Sequence, residues 1–133
     1  MTIASASVAI GATFAPSGGS ATSLLTKSSE GTQHIVYLDD GSDLIDQETY
    51  DFSYKAPKSS ASAPGGYTAA RNTVVIKVPL DLADGSSYVD TVRIEIACAQ
   101  ERTAAQKLSL RERAMHILND ADFTSFWDDQ SKA

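Results

Sequence analysis

Two histidines, one cysteine and a run of aspartates are the residues of this 133-residue chain whose types could do chemistry. A histidine pair could bind a metal or move a proton, a thiolate could attack, and clustered carboxylates could hold calcium. His34 and His116 fall on separate elements, and neither is read as having a Cys, His or carboxylate at metal-ligand spacing. Cys98 sits on the apolar row of a strand, where nothing nearby would lower its pKa, so an inert buried thiol is expected. Asp39, Asp40, Asp43 and Asp46 lack the alternating ligand register of an EF-hand loop and read as a solvated turn. No nucleophile elbow, phosphate-binding loop or dinucleotide fingerprint occurs. The chain is expected not to be an enzyme and to need no cofactor and no metal.

A different pattern carries more information. Thr49, Asp51, Ser53 and Lys55, then Thr73, Val75 and Lys77, then Thr91, Arg93 and Glu95 recur at every second position of three segments. In strands, that period puts each set on one face. The result is a polar sheet face with cations and hydroxyls. It could be a solvated face, as is common in antiparallel sheets, or a platform for a polar polymer such as RNA.

The elements that position this face follow from composition. Residues 1–99 are rich in Ala, Ser, Thr, Val and Gly and read as β; residues 100–133 carry the helix formers. Strands are expected at 5–14 and 21–26, forming a hairpin around Pro16–Gly19, and at 33–38, 48–56, 71–80 and 88–99. Pro57 to Ala69 reads as a flexible loop, Asp81 to Ser87 as a loop with an Asp84-Gly85 turn, and Pro79 as the end of its strand. Thr103-Ala104-Ala105-Gln106 forms a capping box that opens a helix, with Ser109-Leu110-Arg111-Glu112 as a second candidate start. Ala104, Leu108, Arg111, Met115 and Leu118 share its expected face, and Asn119-Asp120 or Asp122 ends it. A short second helix carries Phe123, Phe126 and Trp127. Strands first and helices last is an α+β order, with helices on one face of an antiparallel meander sheet. The chain is expected to form one domain.

Charge and composition set limits on partners. Hydrophobic residues make up 42% and charged residues 21% of the chain, as in ordinary folded proteins. The net charge of −6 argues against coating by nucleic acid through bulk charge, but not against a local basic face. No apolar run could span a bilayer, and the N-terminus alternates in a way unlike a secretory leader. With one cysteine, no internal disulfide can form, which fits a reducing interior. In a meander the last strand lies at an edge. This one lacks prolines and bulge glycines, and its inward row of Val92, Ile94, Ile96 and Cys98 carries no charge past Asp90. Such an edge templates pairing, which points to an obligate homodimer.

The strand Arg71-Asn72-Thr73-Val74-Val75-Ile76-Lys77-Val78-Pro79, the glycine-containing loop 81–87 and the strand Thr91-Val92-Arg93-Ile94-Glu95-Ile96 resemble one family. So do the helix ending Ala114-Met115-His116-Ile117-Leu118-Asn119-Asp120 and the aromatic tail helix. The family is the coat proteins of single-stranded RNA bacteriophages (levivirus-like), and the likeness covers most of the chain by order and spacing of elements. It implies an N-terminal β-hairpin, an antiparallel sheet and two C-terminal helices that interlock with a partner's. It implies dimers that assemble into an icosahedral shell, with helices outside and the sheet facing the genome. It also implies binding of a genomic RNA hairpin on the sheet, which represses replicase translation.

Carried over by position, Ser53, Lys55, Thr73, Thr91 and Arg93 are the implied RNA-binding residues, and Lys77, a cation on the same alternating face, is expected to bind RNA with them. Asp81, Leu82, Ala83, Asp84, Gly85, Ser86 and Ser87 form the implied inter-dimer loop. Val92, Ile94, Ile96, Met115, Leu118, Phe123, Phe126 and Trp127 form the implied dimer interface. The implied partners are a second copy, higher-order shell neighbours, single-stranded genomic RNA and a phage maturation protein. The implied location is the virion, assembled in the cytoplasm of a bacterial host. The sequence departs from the family pattern at Val75, where a lysine is frequent, and at Thr91, where a stacking tyrosine can stand. Asp51 adds negative charge, and loop 57–69 is longer than in well-known members. The alternative from another class is a small β-rich binding or adhesion domain that builds no shell.

Overall fold

The computed structural model describes residues 5–11 and 16–130. They fall into two compact units. One comprises residues 19–100; the other comprises the described residues up to 18 and from 101 onward.

The first unit is a five-stranded antiparallel meander: β1 (Leu24–Glu30), β2 (Gln33–Leu38), β3 (Thr49–Lys55), β4 (Ala70–Asp81) and β5 (Ser87–Cys98), in that spatial order. Its N-terminal hairpin is β1–β2, closed at the Glu30↔Gln33 pair by Gly31, whose φ of 56° suits a tight two-residue turn. This corrects the hairpin expected from 5–14 and 21–26. Residues 6–11 are not strand, and residues 12–15 lie outside the described residues. Alternation among Ser, Ala and Gly offers little apolar surface to hold a strand in place.

Strand β4 runs past Pro79, which pairs with Val89, and ends at Asp81. The β3 ladder stops at Thr49↔Lys77, so beyond Lys77 the strand needs no donor on that side and tolerates the proline. The β4–β5 ladder is continuous from Ala70↔Cys98 to Asp81↔Ser87. Leu82 N donates to Ser86 O at 2.8 Å and Gly85 N to Leu82 O at 3.0 Å, closing a tight turn in which Gly85 takes φ 87°.

Segment 57–69 is a small folded hairpin rather than the flexible loop expected. Ser60 N donates to Gly66 O at 2.9 Å and Thr68 N to Lys58 O at 2.9 Å. Ser59 and Tyr67 form a β-bridge, and Pro64–Gly66 forms a 3-10 turn.

Directly paired residues share a face, so the register sorts the sheet. One face carries Val36, Tyr50, Ile76 and Val92 in one row and His34, Phe52, Val74 and Ile94 in the next. This face is apolar yet largely uncovered in the single chain: Val36 and Cys98 are 7% exposed, whereas Phe52, Tyr54 and Val92 are 40%, 57% and 46% exposed.

In the second unit, α1 (Ala104–Asn119) starts at the Thr103 capping box as expected. Gln106 N donates to Thr103 Oγ1 at 3.3 Å and Thr103 N to Gln106 Oε1 at 3.0 Å. Asp120 ends α1 and caps the next turn, accepting from Asp122 N at 2.9 Å. Helix α2 (Thr124–Asp129) follows. The buried residues of α1 are Glu112 and His116, not the expected Ala104, Leu108, Arg111, Met115 and Leu118 stripe, where Leu108, Arg111 and Leu118 stay exposed. Asp120 Oδ2 lies 3.4 Å from His116 Nε2, so a carboxylate does stand one helical turn from this histidine, contrary to the sequence reading. The Phe123 ring meets the His116 ring edge-on, with centroids 6.3 Å apart. Trp127 Nε1 donates to Ile117 O at 2.9 Å, and Phe126 packs edge-on against Trp127.

Candidate nucleic-acid interface

The second face of the sheet gathers the sequence-predicted polar residues. The register places Gln33, Ser53, Thr73 and Glu95 in one row, and Ile35, Asp51, Val75 and Arg93 in the next. Tyr37, Thr49, Lys77 and Thr91 form a third row, and Lys55, Arg71 and Ala97 a fourth at the far end. Ser53, Lys55, Thr73, Lys77, Thr91 and Arg93 therefore lie on one surface, as alternation predicted.

Charge on this face is unevenly compensated. Arg71 Nη1 donates to Glu95 Oε1 at 2.8 Å, and Gln33 Nε2 donates to Asp51 Oδ2 at 2.8 Å. Among the described residues Lys55, Lys77 and Arg93 make no ion pair, so their charges remain available to an anion. The hydroxyls of Thr73 and Thr91 can both donate and accept. Side chains of these types are chemically able to meet an anion through the cations and polar edges through the hydroxyls.

Sequence reasoning missed Arg71 and Lys58. Arg71 could have been found, because it lies two residues before Thr73 on the same alternating row. Lys58 could not, since only the fold of segment 57–69 brings it to the sheet. Lys55, Lys58, Thr68, Ala69 and Arg71 line a cavity of about 270 Å³. A second cavity, of about 280 Å³, opens between His34, Phe52, Tyr54, Asn72 and Val74 near the Gly31 turn.

The β4–β5 turn, expected to be an inter-dimer loop, is held by Asp84, whose Oδ1 accepts from Ser86 N at 2.9 Å and from Ser86 Oγ at 2.5 Å. The Ser86 hydroxyl and amide hold the Asp84 carboxyl below its ordinary value of 3.8. Tyr50 donates to Glu48 Oε1, and that bond together with burial pushes its phenol up to about 12. Asp40 accepts from Ser42 N at 3.0 Å in the acidic turn, and among the described residues no group of His, Cys, Asp or Glu could hold a metal ion. No described helix is long and apolar enough to cross a membrane.

No family model matches the sequence, and no curated protein matches it. Solved structures do match. The virus-like particle of bacteriophage GQ-907 aligns with a TM-score of 0.86 at 25% identity, covering 99% of this chain and 100% of that one. The particle of bacteriophage AVE019 aligns at 0.67 with 10% identity, covering 86% and 90%. That of Beihai levi-like virus 21 aligns at 0.60 with 11% identity, covering 88% and 91%. The five-stranded meander followed by two C-terminal helices is the fold of these levi-like phage particle proteins, as the sequence resemblance implied.

Proposed function

We propose that this chain is a structural capsid protein that dimerises, assembles into an icosahedral shell and packages single-stranded RNA against the polar sheet face. The full-length structural match to a phage particle protein is the observation that carries the shell reading.

Dimerisation is supported by an asymmetry between the two sheet edges. On β1 the register slips between Thr26 and Ser28, leaving Lys27 as a bulged residue. A bulge and a lysine are the usual protection of an outer strand. On β5 nothing of the kind occurs, and the strand stays regular from Ser87 to Cys98. Pairing β5 with its copy would complete its hydrogen bonds across a two-fold axis. The uncovered apolar residues supply a second reason. Phe52, Tyr54 and Val92 on the sheet, and Leu108, Leu118, Phe126 and Trp127 on the helices, stay exposed in one chain. Helices of one protomer laid over the sheet face of its partner would bury both sets, making the two units one intertwined domain. Dimer contacts then fall to Val92, Ile94, Ile96, Met115, Leu118, Phe126 and Trp127, whereas Phe123, also expected there, is already buried at 8% exposure in the single chain. Shell contacts fall to the 81–87 turn. The virion, built in the host cytoplasm, is the location this function entails. Hairpin-specific repression and contact with a maturation protein belong to the same reading.

Size-exclusion chromatography of the expressed full chain, followed by electron microscopy of the leading peak, tests it. A hollow or RNA-filled particle of megadalton size is the expected outcome. A stable monomer or bare dimer under assembly conditions would instead favour a small β-rich binding domain.

A further inference from the structure

Segment 39–48, which joins β2 to β3, carries Asp39, Asp40, Asp43, Asp46 and Glu48 and no cation, in a chain whose net charge is −6. Leu44 and Ile45 stand among these acids at 75% and 82% exposure, the highest values for large apolar side chains among the described residues. Backbone bonds fix how the pair is presented. Leu38 N donates to Glu48 O at 2.9 Å across the base of the segment, and Asp46 N donates to Asp43 O at 2.9 Å, closing a turn with Leu44 and Ile45 at its corners. Single exposed apolar residues are ordinary. An adjacent pair held at a turn corner between carboxylates is complementary to a small apolar surface bordered by cations.

Helix α1 carries such a surface. Leu108, 46% exposed, follows Lys107 and precedes Arg111 by one turn, so the three lie on one side of the helix. Lys107 and Arg111 make no ion pair among the described residues, and the carboxylate of this helix, Glu112, is buried. Strand register brings the two surfaces together across a two-fold axis. Segment 39–48 and the β4–β5 turn lie at the same end of the sheet, beyond the Tyr37↔Thr49 and Asp81↔Ser87 pairs. When β5 pairs antiparallel with its copy, the Cys98 end of one strand lies beside the Ser87 end of the other. Helix α1 opens at Ala104, soon after Cys98, and so begins at the end of the partner's sheet that bears its 39–48 segment.

We propose that the Leu44–Ile45 turn of one chain seats on Leu108 of a second copy, with Asp43 and Asp46 facing Lys107 and Arg111. The proposal rests on the intertwined-dimer reading and names a clasp outside both the β5 edge and the apolar sheet face. The two-fold axis makes the clasp twice in each dimer. Its apolar centre supplies contact area, and its charged rim rejects a wrongly oriented partner.

The test uses the full chain held below its assembly concentration, with self-association followed by analytical ultracentrifugation and folding checked by circular dichroism. One variant carries Asp43→Lys and Asp46→Lys; the other carries Lys107→Glu and Arg111→Glu. Alone, each sets like charges against each other in both clasps, and its dimer dissociation constant should rise on the order of tenfold or more. Mixed, the two variants should recover wild-type association as heterodimers, because each clasp then joins opposite charges. Native mass spectrometry distinguishes the heterodimer from the homodimers. Wild-type association by each variant alone would overturn the clasp and leave the intertwined dimer standing, whether or not its shells assemble. Weakened variants that mixing does not rescue would also overturn it, because the charges would then not meet across the two copies. A monomeric wild type at every concentration reached would overturn the clasp and the dimer together.

Discussion

Arg71 and Glu95 meet at 2.8 Å on the polar face, from diagonal positions of β4 and β5. The pair joins the row that ends in the cationic cavity to the row of Ser53 and Thr73, and it lies between residues assigned to RNA on either side. Both side chains are open to solvent, so the pair contributes little stability, on the order of 0–1 kcal/mol. Its larger effect is electrostatic: Glu95 removes about one positive charge from a face that has few.

Glu95→Gln should therefore strengthen RNA binding while leaving the fold almost untouched. Arg71 is released and a negative charge is lost, so the salt dependence should steepen by about 0.7 for each phosphate gained. Anisotropy titrations at two salt concentrations, with a thermal melt alongside, check this. Weaker binding by the variant would mean that Glu95 orients Arg71 rather than spending its charge.

The aromatic tail offers a second prediction. Trp127 is 48% exposed in the single chain. If the proposed dimer buries this ring between subunits, replacing it by alanine should cost about 3–5 kcal/mol of dimer stability, measured by denaturation at several protein concentrations. Removing residues 100–133 should give insoluble chains, because the apolar sheet face loses its cover. A soluble folded monomer from that truncation would contradict the intertwined dimer.

The β4–β5 turn should respond to acid. The Asp84 carboxyl is held below its ordinary 3.8 by hydrogen bonds from Ser86 that favour the charged form. Its contribution to turn order is complete above 3.8 and is lost as pH falls through the lowered value. Amide exchange at Ser86 should accelerate in that acidic window and not near neutrality. Asp84→Asn should abolish the transition. Replacing Asp84-Gly85 with Pro-Val should leave dimers intact and impair particles, because φ at position 85 is 87° and valine resists it. Particles of normal yield and heat resistance from that variant would remove the turn from the shell contacts.

The polar face was legible because strand alternation is strict: once β3, β4 and β5 are assigned, Thr49 through Glu95 sort themselves. The Thr103 cap was legible because its chemistry lies within four residues. The folding of 57–69 was not, since backbone bonds between Lys58 and Thr68 and between Ser60 and Gly66 hold it, and Ser, Ala and Gly do not announce such bonds. The first strand failed for the related reason that small residues alternate without burying anything. On α1, Glu112 and His116 take the buried side in one chain, while the apolar stripe that the sequence marks lies open. A stripe that a second subunit would cover, as proposed, looks in sequence just like one covered within the same chain.

Packaging gives the last prediction. Lys77 and Arg93 lie in adjacent rows of the polar face and carry no ion pair among the described residues. Reversing both to glutamate changes the face by about four charges, enough to oppose a polyanion across distances near the Debye length of about 8 Å. Neither side chain points to the apolar face, so dimers and shells should still form. Purified particles of the double variant should show a lower ratio of absorbance at 260 to 280 nm than wild type, because less RNA is enclosed. Since few phosphates are neutralised, the salt slope of wild-type binding should be modest, about 0.7 for each cation engaged. Normal particles with an unchanged absorbance ratio would mean that the genome is held by some other surface, and that this polar face is a solvated one.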